Sequence, residues 1–146
     1  MRSRLRRRVA LVLAVASAAS LGAAGCYWLR YDALARTHVE LLREMAAKLA
    51  DVTGRDGVPP PELAEYRYPL ARARDFVRVS ARWYEERASL AALRELADAY
   101  ADLLGAAERL RVRPDAPERR AFAAALDDVR ARAGAASAAL DRESGI

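Results

Sequence analysis

After Leu29, apolar side chains recur at intervals of three and four residues, and no stretch alternates with the period of two that a half-buried strand requires. That spacing gathers side chains only on a helix face, so the chain is expected to be all-α. On the first helical stretch, Tyr31 to Val52, the stripe runs Leu34, His38, Leu41, Met45, Leu49 and Val52. Arg36, Glu40, Arg43 and Glu44 are placed opposite it, with Glu44 and Lys48 at the favourable i,i+4 spacing. Glycine and the triple proline in 53–61 end that helix. Pro69 fits the first turn of the next helix, with Tyr68 extended before it.

From Leu70 to Leu110 a heptad reading gives one seam: Phe76, Val79, Trp83, Glu86, Leu90, Leu93, Ala97, Tyr100, Leu104 and Ala107. Glu86 is its only charged member, expected to pair with Arg82 or Arg87 at the bundle edge. As one rod this segment would be about 61 Å long, against about 33 Å for Tyr31 to Val52. A straight antiparallel return would overshoot, so a break near 86–89 is expected although no Gly or Pro marks it. Asp115, with Pro117 and Glu118 behind it, forms a capping box that opens the last helix. Its stripe is Phe122, Leu126, Val129, Ala133, Ala136 and Leu140. The fold class expected is therefore an antiparallel bundle of three long helices, the middle one broken, after an N-terminal hydrophobic helix. The bundle is assigned to 31–141, a membrane-proximal stretch to 26–30 and a frayed tail to 142–146.

Charge divides the chain differently. Arg2, Arg4, Arg6, Arg7 and Arg8 precede Val9 to Leu29, which contains no charged residue. Taking those five arginines from the 25 basic residues leaves 20, balanced by 20 acidic ones. The excess is thus confined to the leader, and no basic stripe for nucleic acid is expected on the body. Lys48 is the one lysine and there is no Asn or Gln, so the abundance of arginine reflects a compositional bias rather than phosphate recognition. The single cysteine excludes an internal disulfide.

A positive cluster followed by a long uncharged apolar run is the pattern of an export or insertion segment, spanning 1–25 as a signal or 9–29 as an anchor. Cys26, preceded by Ala23, Ala24 and Gly25, resembles the lipobox of a bacterial lipoprotein signal, a resemblance confined to residues 1–26. Ala23 departs from the leucine usual at that place. The resemblance implies lipidation of Cys26 and a tether to the outer face of the membrane. Tyr27 in place of the aspartate that retains lipoproteins at an inner membrane implies the outer membrane in a two-membrane cell. Two other readings stay open. Val9 to Leu29 as a helix is about 31 Å long, enough to span a bilayer, with Tyr27, Trp28 and Tyr31 at the interface. Cleavage near Ala16-Ser17-Ala18 would instead release the body. All three readings place the body outside the cytoplasm.

No catalytic residue, cofactor or metal site is expected. His38 is the sole histidine and has no HExxH, CxxC or CxxCH companion; a backbone hydrogen bond is its expected role. The serines lack a GxSxG elbow, and the glycines at 54 and 57 belong to a turn. Tyr66, Tyr68, Trp83 and Tyr84 concentrate aromatic area around the proline loop and the following helix, and form the candidate interaction surface. The function expected is that of a membrane-tethered interaction or scaffold module with a protein partner in the envelope. Carriage of a small apolar ligand or lipid between helices is the alternative.

Overall fold

The computed structural model describes residues 30–145. The chain divides into two compact units, Met1–Ala33 and Leu34–Ile146. Of the first only 30–33 are described, and they are helical. The leader 1–25, the 9–29 segment and Cys26 lie outside the described residues. Among the described residues there is no strand, and no helix is long and apolar enough to cross a membrane.

The second unit contains four helices: α1 (34–56), α2 (Ala64–Tyr84), α3 (Ala88–Val112) and α4 (Ala116–Ser144). Side-chain pairs across the helices fix their directions. His38 meets Phe76 and Lys48 meets Glu65, so α1 and α2 run antiparallel. Arg74–Asp98 and Arg94–Glu85 set α3 against α2, and Arg132–Glu95 and Arg109–Glu118 set α4 against α3. Arg36–Asp141 at one end and the bond from Arg119 to the Gly57 carbonyl at the other set α4 against α1. The result is a ring of four antiparallel helices. These pairs are largely exposed and add little energy each, about 0–1 kcal/mol; the core holds the fold. Tyr100, Leu42, Leu49, Leu90, Leu93, Leu96, Leu103 and Leu140 are fully buried.

The expected break falls at Glu85–Arg87, where Arg87 adopts an extended backbone (φ −77°, ψ 131°) ahead of α3. It displaces the seam. Leu90, Leu93, Ala97, Tyr100, Leu104 and Ala107 are buried as expected. In α2 the buried stripe is instead Tyr66, Leu70, Ala73, Val77 and Ser80, one residue along from the heptad reading. Phe76 is half-buried, while Val79, Trp83 and Glu86 are exposed. The heptad count assumed one continuous rod, and a three-residue reversal resets the phase.

A similar offset appears in α1. Ala35, Val39, Leu42, Ala46, Leu49 and Thr53 are buried, whereas His38, Leu41, Met45 and Val52 are half-buried and Leu34 is exposed. A helix facing two neighbours buries a wide arc. The larger residues mark the flank of that arc rather than its centre.

Helix ends differ from expectation in three places. The first helix runs past Val52 to 56, and Gly57, at φ +76°, supplies the left-handed turn that stops it. The second begins at Ala64, so Pro69 lies inside it and Tyr68 is helical, not extended. Burial of Leu63, Tyr66, Pro69 and Leu70 compensates the hydrogen bond Pro69 cannot donate. Through Gly145 the tail is ordered, not frayed. The fourth helix continues to Ser144 and closes on Gly145 at φ +72°, whose N–H donates to the Asp141 carbonyl. Arg36 bonds Asp141 and Ser144, and Ser89 bonds Glu143; those contacts anchor the last turn. At its start the Asp115 carboxylate accepts from the Glu118 N–H at 3.1 Å, and every residue of the expected stripe is buried.

Candidate functional site

The four aromatics do not form one surface. Tyr66 faces inward at the start of α2, with its ring against Lys48 and its carbonyl accepting from Tyr100. Tyr68 is 62 % exposed near the proline loop. Trp83, 80 % exposed, lies 15 residues further along the same helix, about 22 Å away. Half-buried Tyr84 beside it carries the Arg87 guanidinium over its ring, 4.9 Å from the centroid. Sequence proximity to the loop suggested a cluster; a straight α2 carries the two pairs to opposite ends. The loop is held instead by buried Pro59 and Leu63 and by the Arg119 bond to Gly57.

Trp83 has apolar company at its own end of the bundle. Val79 precedes it by one turn on α2 and is 50 % exposed, and half-buried Phe76 precedes Val79 by three residues. The Phe76 ring meets that of His38 on α1, with centroids 4.8 Å apart. One turn before His38, Leu34 is 42 % exposed. Leu34, His38, Phe76, Val79 and Trp83 thus make a continuous stripe along the α1–α2 pair. These five residues, which the first-helix stripe and the heptad reading assign to the core, form an outward face.

His38 packs by its ring rather than bonding a backbone group. Its Nδ1 is buried without a hydrogen-bond partner among the described residues. Burial, seconded by the Arg72 guanidinium on α2, holds its pKa below 6.5. A neutral ring protonated on Nε2 leaves only an acceptor unmet at Nδ1, whereas the cation would bury an unpaired N–H. The unfolded chain therefore takes up the proton first as pH falls. His38 supports the fold fully above pH 6.5 and loses that support as pH drops through 6.5 toward the lower folded value. Urea midpoints should fall between about pH 7.5 and pH 5.5, and His38→Phe should flatten that fall. An unchanged slope in the variant would remove His38 as its source.

At the same end, Glu143 of α4 does what no local residue does for α3. The start of α3 has no side-chain cap of its own. The Ser89 N–H donates to Glu143 Oε1 at 2.9 Å and the Ser89 hydroxyl to Oε2 at 2.5 Å, with Arg87 at 3.7 Å. A carboxylate at a helix N-terminus satisfies an orphan donor and matches the helix dipole. The sequence gives no local signal for this pair, because the partners are 54 positions apart. Arg87 pairs with Glu143, while Glu86 is exposed in the turn; Lys48 likewise pairs across to Glu65, not along its own helix to Glu44.

Three depressions among the described residues are surface grooves with charged rims and apolar side chains between them. The largest, about 390 Å³, lies between Gly105, Glu108, Arg109, Val112, Arg113 and Glu118. A second is walled by Arg74, Arg78, Arg94 and Asp98, and a third by Glu62, Arg67, Glu108 and Arg111. Among the described residues no three His, Cys, Asp or Glu side chains gather as a metal site would require. No protein-family model, curated protein or solved structure matches this chain.

Proposed function

We propose that this protein is a membrane-tethered helical module on the outer face of the bacterial cytoplasmic membrane, or on the outer membrane, where its bundle binds a partner in the envelope. The observation that carries the reading is the arginine-led, charge-free run Val9 to Leu29, which ends five residues before Leu34, the first residue of the bundle unit. The lipobox-like residues before Cys26 point to a lipid on that cysteine, and a spanning helix over 9–29 is the competing form of the same tether. The balanced charge of the body and its large exposed side chains, Trp83 and Tyr68, suit a binding surface. A lipid chain carried between the helices is less favoured, because the three grooves described lie at the surface and are rimmed by arginine and carboxylate side chains.

The intact mass of the protein extracted from membranes tests the tether. A diacylated species beginning at Cys26, lost in Cys26→Ser, is the expected result. A membrane-bound species retaining Met1 would replace the lipid with a spanning helix. The whole polypeptide recovered soluble in the cytosol would overturn both forms.

A further inference from the structure

The outward stripe of Leu34, Val79 and Trp83 lies at the end of the bundle where α1 begins, and we propose that it seats the bundle on the lipid headgroup surface. This rests on the membrane tether proposed above and adds to it an orientation and a contact. Two independent arguments support it.

The first is the level of the side chains. The His38–Phe76 contact fixes the register of α1 against α2. Leu34 is four residues from that level, a rise of about 6 Å, and Trp83 is seven residues from it in the same direction, about 10 Å. Trp83 therefore projects about 4 Å past the first residue of the bundle unit. Around it are the α2–α3 turn and the end of α4, where Arg87 and Glu143 meet.

The second is the reach of the chain. From Cys26 to Leu34 is eight residues, at most about 28 Å fully extended. From Leu34 to residue 56 at the proline-loop end, α1 rises about 33 Å. Were the proline-loop end against the bilayer, Leu34 would stand further from it than the tether allows. The end or flank bearing Leu34 and Trp83 is the one held near the headgroups. An indole there meets an environment matched to its apolar ring and polar N–H. Left in water, the same stripe would keep a tryptophan, a valine and a leucine exposed together.

The chain has two tryptophans, which makes the test direct. In Trp28→Phe the sole emitter is Trp83; in Trp83→Phe it is Trp28. The full chain is reconstituted into phosphatidylcholine–phosphatidylglycerol vesicles containing lipid brominated near the headgroup. Trp83 should then emit at shorter wavelength than in the urea-unfolded chain, be quenched by the bromolipid and be shielded from acrylamide. Adding Leu34→Glu and Val79→Glu should abolish the quenching while circular dichroism keeps its helical signal. If Trp28 is quenched while Trp83 stays acrylamide-accessible, the seat is overturned and the tether stands. If neither is quenched, the tether falls and the seat with it. Protection of Trp83 in native envelope membranes but not in pure lipid would give the stripe to a protein and overturn lipid docking.

Discussion

Replacing Tyr100 with alanine should lower the unfolding free energy by about 4 kcal/mol, the range for removing a buried aromatic ring. Tyr100 has no exposed surface, and its hydroxyl donates to the Tyr66 carbonyl at 2.9 Å, joining α3 to the first turns of α2. Burial, with a smaller contribution from Tyr66, pushes the Tyr100 hydroxyl well above the ordinary phenol range, so it acts only as a neutral donor. Two contributions should separate. Tyr100→Phe keeps the ring and loses the bond, at about 1 kcal/mol; the remainder of the alanine effect is cavity. Urea unfolding of the full chain in mild detergent, followed by circular dichroism, reads both. An alanine variant within about 1 kcal/mol of wild type would mean that α2 and α3 do not close over this ring.

Glu143→Ala should destabilise by about 2–3 kcal/mol, as expected for a charged acceptor lost from a partly buried pair of donors. The carboxylate receives both the N–H and the hydroxyl of Ser89, a residue almost wholly buried at the uncapped start of α3. Glu143→Gln, which keeps an acceptor without the charge, should fall between alanine and wild type. Exchange of the Ser89 amide should accelerate in both variants before global unfolding. A double-mutant cycle with Ser89→Ala should return most of the effect as coupling. Simple additivity would show that Glu143 stabilises α4 alone.

Both residues show where reading along the chain stops. Tyr100 belonged to a regular stripe, and its burial was legible. Its partner is a backbone carbonyl 34 residues away, to which no pattern points. Glu143 lies in the terminal segment expected to fray, yet the Arg36 and Ser89 contacts order it. The candidate surface was legible only in part. Trp83 was singled out and is exposed, but it was grouped with Tyr66, which is buried, and with Tyr68, which lies at the far end of α2. Val79, one turn before it, and Leu34, on the same outward stripe, are residues that spacing assigns to the core.

By itself the sequence determined the helical class, the capping box at Asp115, the inward stripe of α4 and the need for a reversal after α2. These follow from spacing along one helix or from the reach of a rod, and both are local quantities. Only the tertiary structure decided the phase of α1 and α2. Their apolar arcs are wide enough to turn either way, and two neighbouring helices select the centre of the arc. That choice puts Ala35, Ala73 and Ser80 inside, where small side chains fit between close helices, and leaves Leu34, Val79 and Trp83 outside.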